Sequence, residues 1–304
     1  MKNYTEVLKK NYDLPLFELI EKSHKVLKEN FDGEIQKCSL LSVKTGGCPE
    51  NCSYCPQSAH YKTDISKHKL MSLAQVKSSI KKAVDLGAKR FCMGAAWREV
   101  KDNDDFDQIL SMIEEVKKAG MEACVTLGML TEGQANKLKQ AGLDAYNHNL
   151  DTGPNFYKKI ITTRTYNERL ATISNVQKAG ISVCSGGIIG MGETIDDRLD
   201  MLNELLLLDN KPESIPINML IPVKGTPLSD KSPVSIVELV RLIAVTRIFF
   251  PTSKVRLSAG RTNLTQEGQL LCFYAGANSI FLGEKLLTMD NPSVEEDLGL
   301  INEL

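Results

Sequence analysis

The sequence predicts an α/β protein built as a (β/α)8 TIM-type barrel with an N-terminal helical extension. Two observations carry this. A helical stretch, then Ala-Gly or Leu-Gly, then a short β-prone run recurs at 86–92, 119–124, 141–146, 179–184 and 275–280. Glycine at that place suits a helix C-cap, where a left-handed residue turns the chain into the next strand. No low-complexity tract or Pro/Gly/Ser-rich linker divides the chain. Further β-prone runs at 38–43, 214–218 and 255–259 bring the candidate strands to eight. They alternate with helices expected at about 73–86, 104–118, 132–140, 166–178, 195–208, 235–249 and 265–274. Strict alternation means parallel strands with helical crossovers, and eight such units point to a closed barrel. An open doubly wound sheet is the alternative topology. Residues 1–35 read as the extension, with Leu16, Leu19, Ile20 and Leu27 on a packing face, and residues 36–304 as the barrel domain.

Of the 304 residues, 42% are hydrophobic and 25% charged, the balance of a globular chain with a sizeable core. The net charge of −1 and the absence of a basic block leave no electrostatic footprint for nucleic acid. The first residues lack the apolar core of a signal peptide. The most apolar helical stretch, 239–250, carries Arg241 and Arg247 and is too short for a bilayer, so no membrane association is expected. Eight cysteines in such a chain fit a reducing, cytoplasmic setting and ligand roles better than a disulfide framework.

Three of these cysteines, Cys48, Cys52 and Cys55, are spaced C-x3-C-x2-C within Gly47-Cys48-Pro49-Glu50-Asn51-Cys52-Ser53-Tyr54-Cys55-Pro56. Three thiolates so close can converge on one metal centre but not on one disulfide. Structural zinc and ordinary iron–sulfur sites want four protein ligands, so three leave an open position where chemistry can occur. A three-cysteine zinc site completed by His60 or His68 is the alternative. The loop follows the first strand, which places it at the C-terminal rim of a barrel, where barrel active sites lie.

Cys92, Cys124 and Cys184 each follow a strand-leading glycine by four or five residues, so they fall at similar depth on the second, third and fifth strands. Arg256 holds a similar place on the seventh. A lone strand cysteine is ordinarily a small buried hydrophobe. Three at one depth beside an interior arginine also suggest ligands, because a buried guanidinium needs an anionic partner. Cys38 and Cys272 have no such company and read as packing residues.

With tyrosine before its third cysteine, the loop resembles the signature of the radical S-adenosylmethionine (radical SAM) enzymes. Over nearly its whole length the chain resembles the biotin synthases. The stretches 47–58, Phe91-Cys92-Met93-Gly94-Ala95-Ala96-Trp97-Arg98, Tyr146-Asn147-His148-Asn149-Leu150-Asp151-Thr152, 183–187, 190–193, 216–220, Val255-Arg256-Leu257-Ser258-Ala259-Gly260-Arg261 and 275–281 carry the likeness. It implies a sulfurtransferase that converts dethiobiotin to biotin by radical sulfur insertion. It further implies a 4Fe–4S cluster on Cys48, Cys52 and Cys55 whose open iron binds SAM. A 2Fe–2S cluster on Cys92, Cys124, Cys184 and Arg256 would donate the sulfur. A homodimer, with flavodoxin or ferredoxin as electron donor, completes the picture.

Around these ligands, Tyr54, Asn149, Asp151 and the glycines Gly186, Gly187 and Gly190 are expected to meet SAM. Asn147, Asn149 and Asn218 are expected to meet dethiobiotin, since an amide offers the ureido ring both donor and acceptor. Asn147, Asn149 and Asp151 should share one side of the fourth strand, with His148 packed behind it. Ser214, Ser258 and Ser279 are further candidates to line the second cluster. Rival readings are a hydrogenase-maturation or methylornithine-forming relative, and a non-catalytic iron–sulfur carrier. Carriers fill all four iron positions with cysteine, which this loop does not.

Overall fold

The computed structural model describes residues 3–304. Its centre is a parallel barrel made by β1 (Gln36–Lys44), β2 (Arg90–Ala95), β3 (Glu122–Thr126), β4 (Ala145–Asn147), β5 (Ser182–Cys184), β6 (Gly187–Ile189), β7 (Ser214–Met219), β8 (Lys254–Leu257) and β9 (Ser279–Leu282). Pairing runs from β1 through β5 and on to β7, β8 and β9, and β9 pairs back with β1. The sheet is therefore closed, and the open alternative is excluded.

The fifth expected strand is split into β5 and β6. Register with β7 is the same on both sides of the break, Cys184 facing Ser214 and Gly187 facing Ile217. Opposite the gap lies Pro216, which has no N–H to give the ladder. Gly186 there approaches so closely that a Cβ would sit 2.0 Å from the Pro216 carbonyl oxygen.

The outer layer comprises α3 (Leu73–Asp85), α4 (Asp104–Lys118), α5 (Glu132–Gln140), α6 (Pro154–Ile160), α7 (Tyr166–Lys178), α8 (Ile195–Leu207), α9 (Ile236–Phe249) and α10 (Gln266–Tyr274), with α11 (Val294–Asn302) at the end. Local signals set their limits. Ser72, Thr131, Thr165 and Thr194 open α3, α5, α7 and α8 with capping boxes. The glycines after α3, α4, α5, α7 and α10 (Gly87, Gly120, Gly142, Gly180 and Gly276) all have positive φ, as the recurrent motif requires. The extension forms α1 (Thr5–Tyr12) and α2 (Leu16–Asn30), which pack on α8 and α9. Leu19 and Ile20 are buried there, and Leu16 and Leu27 partly so.

Arg247 of α9 ties several parts of this layer together. Fully buried, it donates to the carbonyls of Gly276, Phe250, Pro251 and Ser253 and to Asn278 Oδ1. Its guanidinium lies 4.7 Å from the ring of Phe31, just beyond α2. Replacement by methionine keeps volume but strands these acceptors in a dry site. Arg247→Met is expected to cost about 3–5 kcal/mol of unfolding free energy, read from denaturant midpoints of the metal-free protein. A change under about 0.5 kcal/mol, the ordinary surface value, would contradict this account.

Candidate active site

One cavity of about 350 Å³ opens at the C-terminal ends of the strands, lined by residues of the stretches 91–98, 146–152, 216–220 and 255–261 and by the cysteine loop. Its outer part is the loop after β1. Backbone bonds shape it: Cys48 N donates to Gln57 O, Ala59 N to Cys48 O and Cys55 N to Cys52 O. Glu50, buried inside the loop, accepts from Arg98 Nη1 at 2.7 Å and from Thr163 Oγ1. Arg98 also donates to Thr163 O, and Asn51 exchanges bonds with Thr162 and Thr163. Three loops, after β1, β2 and α6, are thereby knitted into one rigid support.

Cys48 and Cys55 line the cavity, while Cys52 packs against Phe156, Tyr157 and Ile160. Burial pushes Cys52 up to about 11 and Cys55 up to about 12, and raises Cys48 as well. In the metal-free chain these thiols are therefore protonated at neutral pH, and metal binding must expel the protons. Among the described residues, no three His, Cys, Asp or Glu side chains converge as a single ion requires. Thiols of a multi-iron cluster bind different irons and need not converge so. The histidines of the zinc alternative do not line the cavity with Cys48 and Cys55. His60 is exposed with its Nε2 3.0 Å from Pro49 O, and His68 is also exposed.

Deeper in the barrel, Cys92 and Cys124 are Cα partners on β2 and β3, and Cys184 ends β5. Arg256, 1% exposed, donates Nε to Ser279 Oγ at 3.0 Å and points Nη1 at Cys184 Sγ at 3.7 Å. Its face lies 4.6 Å from the Phe281 ring. No carboxylate pairs with it among the described residues. A guanidinium surrounded by thiols, with no counter-ion of its own, fits an anionic metal–thiolate centre. Cys38 was expected only to pack. Instead it is drawn into this layer: its Sγ accepts from Arg256 Nη2 at 3.3 Å, and it packs with Cys92 and Cys124. Cys272 lies in the outer core, as expected. Ser279 contacts Arg256, Ser258 lines the cavity, and Ser214 is buried with its hydroxyl unpartnered.

Between these layers sit the polar residues of the fourth strand. Asn147, Asn149 and Asp151 do share the cavity, but strand alternation is not what brings them there, because β4 ends at Asn147 and Asp151 takes a left-handed φ of 69°. Asp151 nevertheless lines the cavity, and its Oδ2 accepts from Tyr54 OH at 2.8 Å and from Arg169. Asn147 Nδ2 donates to Cys184 Sγ and Asn149 Oδ1, and its Oδ1 accepts from Thr126. Asn149 Oδ1 also accepts from Gly186 N, so both its lone pairs are used and only N–H groups face outward. Asn218 gives one N–H to Gly187 O and accepts from Ala259 N, keeping one donor and one acceptor free.

His148 does not pack behind the strand but is buried against the cavity, with Nε2 unpartnered. Burial first, then the charges of Arg169 and Arg164, push its imidazole well below the ordinary value, so it is neutral. Gly186, Gly187 and Gly190 are not among the lining residues. Protein packing alone requires the first two, since a Cβ would meet Pro216 O or Met201 Sδ, and Gly190 needs its φ of 96°.

A further wall carries no motif. Leu286, Leu287, Thr288 and Met289 reach the cavity from a turn between β9 and α11. Asn291 holds the turn through Phe281 O and Gly283 O. The buried Arg261–Asp297 pair, at 2.6 and 2.7 Å, fixes α11 beside it. Its only advance signal was an arginine directly after the Ser258-Ala259-Gly260 stretch.

Comparison with known proteins places this arrangement. Residues 42–205 match the radical SAM superfamily and residues 216–304 the biotin and thiamin synthesis associated domain. A biotin synthase of Sorangium cellulosum is 58% identical over 96% of this chain and 84% of its own. Another, from Francisella tularensis subsp. holarctica, is 56% identical over 98% of this chain and 96% of its own. Among solved structures, a methylornithine synthase superposes with TM-score 0.84 at 17% identity, covering 100% of this chain and 93% of its own. A maturase of the FeFe-hydrogenase gives 0.83 at 20% identity, covering 98% of this chain and 70% of its own. At such identities these structural likenesses speak for the fold alone.

Two outcomes are expected. Glu50→Ala removes the buried carboxylate that braces the loop. It should speed about 10–100-fold the anaerobic loss to a chelator of any iron the loop takes up, with circular dichroism unchanged, the usual cost of losing support behind a metal-binding side chain. The raised thiols also fix a pH dependence. At pH 8 the thiolate fraction of metal-free Cys52 is on the order of one in a thousand, against about a quarter for an unperturbed thiol. Iodoacetamide should label Cys52 and Cys55 slowly at pH 8 and about tenfold faster for each pH unit above it. Labelling as fast as glutathione at pH 8 would contradict the burial argument.

Proposed function

The chain belongs to the biotin synthase family of radical SAM enzymes, and on that premise we propose that it forms biotin by inserting sulfur into dethiobiotin. One observation carries the reading: a single cavity has a three-thiol loop at its mouth and a thiol–guanidinium layer at its floor. Membership of the superfamily brings a 4Fe–4S cluster and SAM. In our reading Cys48, Cys52 and Cys55 hold that cluster, and Cys92, Cys124, Cys184 and Arg256 hold a 2Fe–2S cluster. Bound, the first group with SAM supplies a 5′-deoxyadenosyl radical and the second supplies sulfur.

The chain's own residues bind, orient and enclose. Asn149, left with donors only, suits a carbonyl or ribose oxygen. Asn218, with one donor and one acceptor free, suits the N–H and C=O of a cyclic urea, beside Asn147. Asp151 keeps Oδ1 for a ribose hydroxyl while its Oδ2 fixes the Tyr54 ring. Gly186, Gly187 and Gly190 serve SAM only indirectly in this reading, Gly186 N fixing the Asn149 carbonyl and the glycines allowing the backbone course that brings Ile188 to the cavity wall. Phe281, Leu286 and Leu287 supply apolar wall that excludes water from a reactive radical.

Flavodoxin or ferredoxin as the electron source, a cytoplasmic location and a homodimer complete the reading. Phe17, 75% exposed on the extension, offers apolar area for the last. No helix among the described residues is long and apolar enough to cross a membrane.

The test is anaerobic reconstitution with SAM, dethiobiotin and a reductant, followed by mass spectrometry of products. Biotin and 5′-deoxyadenosine are expected. Cys48→Ala, Cys52→Ala or Cys55→Ala should abolish 5′-deoxyadenosine yet spare the 2Fe–2S Mössbauer doublet. Cys184→Ala should do the reverse, retaining SAM cleavage while biotin falls. Cleavage of SAM without biotin in the unaltered protein would favour a different radical SAM reaction, and no cleavage would favour an electron carrier.

A further inference from the structure

Five donors, not four, gather in the layer beneath the cavity, three of them (Cys92, Cys124 and Arg256) lining it directly. Four are thiols: Cys38, Cys92 and Cys124 on the adjacent strands β1, β2 and β3, and Cys184 on β5, with β4 between. The fifth is the guanidinium of Arg256 on β8. Cys38 is fully buried and shares an inward face with Leu40, two residues on, which lines the cavity. It packs against Cys92, Cys124 and Phe281. The guanidinium bridges the set, with Nη2 3.3 Å from Cys38 Sγ and Nη1 3.7 Å from Cys184 Sγ.

An iron–sulfur cluster of the 2Fe–2S type takes four protein ligands, ordinarily four thiolates. Guanidinium is the poorest donor of the five, because it must lose a proton before it can bind iron. We propose that Cys38 is an alternative fourth ligand of the barrel cluster, interchangeable with Arg256. This rests on the reading that the layer holds a 2Fe–2S cluster. The exchange balances without any redox partner. An iron–nitrogen bond to neutral Arg256 breaks and an iron–sulfur bond to Cys38 forms. The thiol proton passes to the guanidine, so the net charge of the layer is unchanged. The Cys38–Arg256 contact is the path for that proton.

The experiment compares the unaltered protein, Cys38→Ser, Arg256→Ala and Cys38→Ser/Arg256→Ala, each reconstituted anaerobically with 57Fe. Mössbauer spectra count barrel and loop iron separately, and EPR of the reduced barrel cluster reports its ligands. Absence of a 2Fe–2S signal in the unaltered protein would sink the underlying reading; the remaining arms address Cys38. Arg256→Ala should keep the full barrel signal with an EPR spectrum shifted to that of an all-cysteine cluster. Cys38→Ser alone should keep barrel iron, with Arg256 in place. The double variant should lose barrel iron about tenfold or more while keeping loop iron, which also reports that it folds. Equal barrel iron in Arg256→Ala and the double variant would overturn the proposal. Should the double variant lose loop iron too, Arg256→Ala decides alone. A cluster lost with Arg256, or one whose EPR is broadened by 17O-labelled water at the vacated position, rules out Cys38 as its replacement.

Discussion

The chemistry of this chain depends on the register of its parallel strands. Side chains alternate in and out of the barrel, so a slip of one residue would turn a whole set from the interior to the helical layer. Leu40 pairs with Cys92 and Cys92 with Cys124, and across the closure Cys38 pairs with Phe281 and Arg256 with Ser279. Those pairings put thiols and guanidinium in one interior region. Closure is essential, because Arg256 and Cys38 lie 218 residues apart and meet only when β9 joins β8 to β1.

The two thiol sets are held by different physics. The barrel set is fixed by backbone ladders, which leave its residues little freedom. The loop set has no ladder of its own, and its shape comes from Glu50, Arg98 and the segment after α6. A buried carboxylate is costly unless paired and hydrogen-bonded, and Glu50 is both. Radical chemistry gains from such rigidity, since a species able to attack an alkyl C–H must form where only its target is within reach.

Much of this was legible in the sequence. The Ala-Gly and Leu-Gly punctuation located helix ends because glycine at a left-handed cap has a local cause, and the cysteine spacings carried both thiol sets. What escaped has non-local causes. Cys38 looked like a packing residue because its partner lies across the barrel closure. The split of the fifth strand follows from Pro216 on a neighbouring strand. The left-handed turn at Asp151 is held by Arg169 and Tyr54, remote in sequence. It ended the simple alternation that had placed His148 outside the cavity. The wall at 286–289 has no composition that separates it from any other apolar turn.

The floor of the cavity also decides what its middle can recognise. Asn147 Nδ2 contacts Cys184 Sγ at 3.2 Å and Asn149 Oδ1 at 3.3 Å, so one amide spans the thiol layer and the polar ring above it. Its Oδ1 is drawn to Thr126, which fixes the amide with its N–H groups toward sulfur. Asn149 must then turn its carbonyl inward to accept from Asn147 and Gly186, leaving its N–H groups for a ligand. The polarity offered to a bound molecule is thus imposed from a thiol of the floor by a chain of two hydrogen bonds. A carboxylate at position 147 would reverse the first link and repel a thiolate at Cys184. An amide there serves both layers, because it can donate to sulfur and to a neighbouring carbonyl at once.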